Sequence, residues 1–241
     1  MARVSDSSRR RDDDSLIWAA RRTANRASRF LTAHVTGHSM RPRNSDLYGC
    51  PTDGGAIVLD LNTEKYFSIQ RPDAAPQDDV AYLGTLGIKV HSHLIDVDLL
   101  KPIRIGPRVE FDVMPYYGAM LRATISVAIT TRLFGASAAI RRLSALKGRA
   151  GNALMQSSSS ALPGAIQAFR HLRPFLYTAR DHCLGDALVL ANYLLHLRHD
   201  VQFVVGVKAR PFEAHAWAQI GSHVIEDFVE QVQLFTPILV V

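Results

Sequence analysis

The chain has 241 residues, of which 47% are hydrophobic, and this length and composition are typical of a globular protein with one large or two small domains. It contains no uninterrupted apolar run of eighteen residues, and no secretory signal follows its polar start. We therefore expect a cytoplasmic protein without a membrane span. The formal charge is +6, but residues 1–30 hold eight Arg and four Asp, which leaves 20 basic against 18 acidic residues in the other 211. This near balance argues against nucleic acid as a partner.

The two cysteines, Cys50 and Cys183, lie 133 positions apart and match no paired metal-binding spacing. A structural disulfide is not expected in a reducing cytoplasm. We therefore predict no metal site and consider each cysteine separately. Cys50 lies in the loop-like stretch "LYGCPTDGG", where we expect it to have no functional role.

Composition divides the first two thirds of the chain into three regions. Residues 1–45 are rich in Arg and Ser and predict a flexible extension. A β-branched run at 56–61 and an aromatic run at 66–69 flank the turn-forming "NTEK", which predicts a hairpin in a domain of about 46–110. Apolar residues at helical spacing, with Arg on the other face, predict one or two helices over 118–147 in a connector of 111–160.

The last region, 161–241, predicts helices followed by strands. A helical stretch is interrupted by Pro174, where we expect the helix to break, and a second helix is expected from about 183 to 198. The buried-strand pattern "VQFVVGV" follows it. The chain as a whole therefore predicts an α+β fold.

Cys183 lies at the predicted start of that second helix. A helix N-terminus presents free amide N–H groups and a partial positive charge, which favour the thiolate and lower the cysteine pKa. The same amides can stabilise the oxyanion of a tetrahedral intermediate. The alternative is a small apolar residue packed under a helix end.

A thiolate nucleophile needs a histidine and a group that orients it, and His215 and Asp227 are candidates on two adjacent predicted strands. A two-residue loop at 221–222 would place Asp227 on the wrong face of the hairpin, whereas a three-residue loop at 220–222 places it opposite His215. We therefore predict the three-residue loop, with Gly221 providing a positive φ. The alternative is a half-buried, hydrogen-bonded histidine and a solvated strand end, while Asp186 and Glu226 are other acids within reach.

Residues 181–227, "DHCLGDALVLANYLLHLRHDVQFVVGVKARPFEAHAWAQIGSHVIED", contain a Cys that opens a helix, the block "GVKARPFEAHAW" and a closing Asp, separated by 32 and 12 positions. This pattern resembles the lasso peptide biosynthesis B proteins of the McjB type. The resemblance implies a transglutaminase-like or papain-like domain at 161–241, with Cys183 as nucleophile, His215 as base and Asp227 as orienter. More weakly, "GGAIVLDLNTEKYFSI" resembles the first hairpin of a PqqD-like, winged-helix-like recognition domain, here 46–110.

The same resemblance implies a function. A cysteine peptidase of this kind binds a lasso precursor peptide and removes its leader, without a cofactor, before an asparagine-synthetase-like cyclase forms the macrolactam. Two alternatives stay open: an acyltransferase that uses the same triad, and a non-catalytic binding protein whose winged-helix-like domain contacts nucleic acid. Trp217 shares a strand face with His215 and is expected either to wall the site or to lie in the core. His182, His196, His199 and His223 are expected at the surface.

Overall fold

The structure is a computed structural model that describes residues 46–53, 55–72, 78–103, 112–151, 161–176 and 183–241. The predicted extension at 1–45 and His182 lie outside the described residues. The fold is mixed α+β, as predicted, with two β-sheets and a layer of helices. No described helix has the length and apolar character needed to cross a membrane.

The first sheet contains the predicted hairpin and has the strand order β3-β2-β1-β4. Its elements are β1 (Leu47–Thr52), β2 (Gly55–Asp60), β3 (Lys65–Gln70), helix α1 (Asp79–Thr85) and β4 (Lys89–Val90). The turn between β2 and β3 forms because the Asp60 carboxylate accepts hydrogen bonds from Asn62 and Thr63. Cys50 lies in a strand, contrary to the loop prediction, and is buried, because β1 pairs with β2 along its full length.

The helical layer confirms the helices predicted around 118–147. It consists of α2 (Met114–Phe134), α3 (Ala136–Ala150), α4 (Leu162–Leu176) and α5 (Cys183–His196). Gly135, with φ of +86°, separates α2 from α3. The predicted break at Pro174 is wrong, since α4 continues through it and ends two residues later.

The second sheet has the order β5-β8-β7-β6-β9. Its elements are β5 (Lys101–Pro102), β6 (Gln202–Lys208), β7 (Glu213–Ile220), β8 (His223–Ile225), the short helix α6 (Val229–Val232) and β9 (Thr236–Val240). β6 is the predicted buried strand, and it pairs with β7 from Gln202 opposite Gln219 to Lys208 opposite Glu213.

The two sheets share one hydrophobic core. Cys50, Ile57 and Leu59 of the first sheet pack in the same cluster as the buried faces of α2, α3, α5 and the second sheet. The Glu64 carboxylate, in the turn after β2, accepts a hydrogen bond of 2.8 Å from the Ser137 N–H at the start of α3. The first sheet is therefore anchored to the helices that carry the rest of the fold.

The division into domains at 46–110, 111–160 and 161–241 stays a prediction, as does the winged-helix-like character of the first. What the structure describes between 46 and 103 is the first sheet, α1, β5 and two single 3-10 turns at Ser92–Leu94 and Val97–Leu99. Between the two sheets, the Val240 N–H donates to Nδ1 of His91.

Candidate active site

Cys183 is the first residue of α5, as predicted, and is solvent exposed. Although the residue is exposed, neighbouring atoms partly desolvate its thiol, which by itself raises the pKa. A hydrogen bond to His215, the charge of that imidazole and the N–H groups of Ala216 and Leu184 act in the opposite direction and prevail. The net pKa of Cys183 is therefore below its ordinary value, which favours the reactive thiolate.

His215 lies on β7 and joins the cysteine to an acid. Its Nε2 is 2.6 Å from Oδ2 of Asp227, and the two side chains are only 11% and 18% exposed. Burial lowers the pKa of His215, but the hydrogen bonds and charges of Asp227 and Cys183 outweigh it and raise the pKa to about 9. Because Nε2 faces Asp227, Nδ1 is the nitrogen left for the cysteine sulfur. The structure therefore brings together the three residues that the sequence singled out.

The route by which Asp227 reaches His215 differs from the prediction. Ile220 pairs with His223, so the loop has two residues and the predicted three-residue loop is wrong. β8 ends at Ile225, and Glu226 adopts a left-handed backbone with φ of +59°. That residue interrupts the strand alternation that would have sent Asp227 to the other face of the hairpin.

Comparison with known proteins gives a family match over this part of the chain. The model of the family described as the transglutaminase-like superfamily matches residues 123–240, a range that contains all three residues. Residues 123–240 form a transglutaminase-like domain. No curated protein and no solved structure matches the chain. The match begins within α2, so the part of this helix from residue 123, together with α3, α4, α5, α6 and strands β6 to β9, falls within the domain.

The acids considered beside Asp227 have other partners in the transglutaminase-like domain. Asp186, one turn into α5, forms an ion pair with Arg173 of α4. Glu226 forms an ion pair of 2.5 Å between its Oε1 and Nε of Arg170. Neither arginine was singled out from the sequence, although the two lie three positions apart and therefore on one side of α4. These ion pairs leave Asp227 as the acid that contacts His215.

Trp217 lies both in the core and beside the site. It is 1% exposed and packs in a cluster with Val204, Val224 and Phe235, yet its ring also stacks near His215 with centroids 6.3 Å apart. Gly206, opposite His215 in β6, leaves room for this ring, since a Cβ there would lie 2.7 Å from Cζ3 of Trp217. A small residue on one strand thus accommodates the large residue beneath the histidine.

The remaining histidines do not join the triad. His223 is exposed, as predicted, and His196 is half-buried. His199 is buried, contrary to prediction, because the chain folds back after α5 and its N–H bonds to the carbonyl of Leu194. In the described part of the chain, no group of three or more His, Cys, Asp or Glu residues could hold a metal ion.

A small cavity of about 180 Å³ is lined by Cys183, His215 and Asp227. Phe169 and Arg173 of α4 form one wall, Cys183 and Asp186 lie on α5, and His215 lies on the sheet. The chemistry available in this cavity is nucleophilic attack by a thiolate, proton transfer by an imidazole, and stabilisation of developing charge by the amides at the start of α5.

Proposed function

We propose that the protein is a cysteine leader peptidase that acts on a ribosomally made lasso precursor peptide. The observation that supports it most directly is the contact of His215 with Asp227 in the same small cavity as Cys183, which is the first residue of a largely buried helix. The transglutaminase-like domain suggests protease-like or acyltransferase-like activity. The peptidase assignment and the lasso substrate rest on the sequence resemblance of residues 181–227.

The proposed reaction has two steps. The Cys183 thiolate attacks the scissile carbonyl carbon and forms a C–S bond. The protonated His215 then gives its proton to the leaving amine nitrogen as the C–N bond breaks, which leaves a thioester. Water attacks the thioester while His215 accepts its proton, and the thiolate returns as the leader carboxylate departs. Asp227 holds the imidazole in the orientation that both transfers need.

Leader recognition is the second part of the proposal. β3 forms one edge of the first sheet, and in the described part of the chain no strand pairs with its outer side. A leader in extended conformation can add to such an edge by main-chain hydrogen bonds. Tyr66 of β3 contacts Phe212, which lies three residues before His215, with ring centroids 5.3 Å apart. A leader bound along β3 is therefore held near the β6–β7 turn of the transglutaminase-like domain.

The partner is proposed to be an asparagine-synthetase-like cyclase that joins the new amino terminus to an acidic side chain. The chemistry of the triad uses no metal or organic cofactor, and ATP belongs to the cyclase. A cytoplasmic location fits a precursor made by the ribosome.

The test is mass spectrometry of the precursor peptide after incubation with purified protein. Cys183→Ala is expected to release no leader, because it removes the nucleophile from an exposed helix end without opening a core cavity. Cys50→Ala is the matched control: this cysteine is buried in β1 and is not among the residues that line the catalytic cavity, so cleavage should persist in the folded variant. Leader release by folded Cys183→Ala would overturn the mechanism.

An acyltransferase is the second candidate, because the transglutaminase-like domain is compatible with transfer of the acyl group to water or to an amine. Both reactions pass through the same thioester and differ in whether water or an amine attacks it. Adding a primary amine to the cleavage reaction distinguishes them. A peptidase yields the free leader acid as its main product, whereas an acyltransferase yields the leader amide.

A further inference from the structure

The helix α2 carries nearly half of the exposed large apolar side chains. Thirteen such side chains are exposed in the described part of the chain, and six of them lie on this helix: Met114, Tyr117, Ile125, Ile129, Leu133 and Phe134. Their exposed fractions range from 43% for Tyr117 to 74% for Met114. Apolar side chains that collect on one surface element, instead of being scattered singly, mark an interaction surface.

Most of these side chains form one continuous ridge on the outer side of α2. The residues of this α2 ridge follow one another at intervals of four: Tyr117, Leu121, Ile125, Ile129 and Leu133. The side of α2 that faces the core is formed by other residues: Met120, Ala123, Val127 and Thr130. Sixteen residues separate the two ends of the ridge, so it is about 24 Å long at 1.5 Å per residue.

Two exposed arginines accompany the ridge. Arg122 lies three residues before Ile125, and Arg132 lies three residues after Ile129, so both project on the same side of α2 as the apolar side chains. The helices α2 and α3 together contain six basic residues and no Asp or Glu. The surface is therefore both apolar and positively charged.

The acids that contact these helices are bound elsewhere. In the described ranges, the partners are Asp46 with Arg141, Asp200 with Lys147, Glu64 with the Ser137 N–H, and Asp112 with the Met114 N–H. Burial lowers the pKa of the half-buried His196 on α5, and the charges of Arg122 and Arg142 lower it further. Positive charge from α2 and α3 thus meets beside His196 without a carboxylate that acts in the opposite direction.

A second copy of the chain would not suit the α2 ridge. The ridge residues from Leu121 to Leu133 are symmetric about Val127, so two ridges could pair antiparallel around that position. Arg122 and Arg132 lie five residues on either side of Val127, and this pairing would bring the two arginines of opposite copies together. Like charges at such a contact oppose association. The Arg-rich residues 1–30 of the same chain, with eight Arg and four Asp, carry the same sign of charge.

The surface of an anionic bilayer supplies both kinds of contact that the ridge needs. Apolar side chains of a helix that lies in the interface enter the boundary of the acyl chains. Arginines on the same side can extend their long side chains to the phosphates. A bilayer offers both chemistries at every point along the 24 Å ridge, whereas a protein partner would need acids placed to match Arg122 and Arg132 within an otherwise apolar contact.

We propose that the α2 ridge binds the surface of a membrane that contains anionic lipids. The apolar side chains of the ridge enter the interfacial region, and Arg122, Arg132 and Arg142 face lipid phosphates. Such a helix lies on the bilayer and does not cross it. The inference goes beyond the proposed function and does not depend on it, because none of these residues lines the catalytic cavity.

The test is flotation of the full-length protein with lipid vesicles. One set contains equal parts of phosphatidylglycerol and phosphatidylcholine, and the other contains phosphatidylcholine alone. Ile125→Asn combined with Ile129→Asn removes apolar contacts at side chains that are 48% and 53% exposed. The matched control is Leu99→Asn combined with Leu234→Asn, two side chains that are 62% and 61% exposed outside α2. Thermal unfolding checks that each variant is folded.

We expect the protein to float with the anionic vesicles and to bind phosphatidylcholine at least tenfold more weakly. The double isoleucine variant should bind anionic vesicles at least tenfold more weakly, while the double leucine control binds like the unchanged protein. Arg122→Gln and Arg132→Gln should each weaken binding about fivefold, the effect expected for one basic residue near an anionic surface. About 1 M NaCl should weaken the binding, because it screens the phosphate contacts.

Three results would overturn the assignment. Absence of flotation with anionic vesicles would exclude lipid and leave an acidic protein as the occupant. Equal flotation of the double isoleucine variant and the unchanged protein would attribute binding to another part of the chain, such as the Arg-rich residues 1–30. Sedimentation as a dimer that the isoleucine substitutions dissociate would assign the ridge to a second copy. Precursor cleavage in solution is measured separately, so its failure would refute the peptidase function and not the membrane surface.

Discussion

Replacing Asp227 with Asn should shift the alkaline limit of activity. In the intact site, the contacts of Asp227 and Cys183 overcome burial and raise the pKa of His215 from 6.5 to about 9. This rise corresponds to about 3 kcal/mol in favour of the imidazolium. The leaving amine needs that proton, so activity should persist up to about pH 9 and fall above it. On the acid side, activity falls as the Cys183 thiolate is protonated.

Asp227→Asn removes the negative charge, so the alkaline limit should fall by about one to two pH units, with Cys183 providing the remaining support. The maximal rate should fall between about tenfold and ten-thousandfold, the range expected when a triad loses its orienting acid. The assay is the pH dependence of precursor cleavage, followed by mass spectrometry. Glu213→Gln is the control, because Glu213 lies on the same strand but pairs with Lys208 at the surface. An unchanged alkaline limit in Asp227→Asn would refute this account of His215.

Three other substitutions test the surroundings of the site. Gly206→Ala should destabilise the protein by about 1–3 kcal/mol in urea unfolding and lower cleavage, because its Cβ would meet the Trp217 ring at 2.7 Å. Glu64→Ala should cost about 1 kcal/mol in the same assay, because the Ser137 N–H loses its acceptor, and full stability would contradict a capping role. Asp186→Asn should leave the alkaline limit of cleavage near pH 9, since Asp227 is the acid that contacts His215; a limit that moves would assign the orienting role to Asp186.

Cys183 and His215 could be placed from the sequence because each lies in a regular element. The apolar spacing after Cys183 predicted a helix that begins at this residue. Strand alternation predicted the face of the hairpin that carries His215, and therefore the face on which its acidic partner must lie. The face of the hairpin on which Asp227 lies could not be predicted in this way. It depends on one left-handed residue, Glu226, whose side chain pairs with Arg170 of a distant helix. Period-two reasoning fails where a single backbone conformation ends the strand.

Two local predictions were wrong for different reasons. Pro174 suggested a helix break, but α4 continues through it to Leu176. Cys50 lies among Gly and Pro residues that suggest a loop, yet the pairing of β1 with β2 buries it.

The shared core determines how leader recognition can be separated from cleavage. Because Ile57 and Leu59 of β2 pack against the helices of the transglutaminase-like domain, a fragment of the first sheet alone would expose this apolar face. Loss of leader binding by such a fragment would therefore report unfolding. Full-length Cys183→Ala with a photoreactive leader avoids the problem, since it keeps the core and blocks turnover. Cross-links within Lys65–Gln70 are expected if the leader adds to β3, and cross-links confined to other elements would refute recognition at this edge.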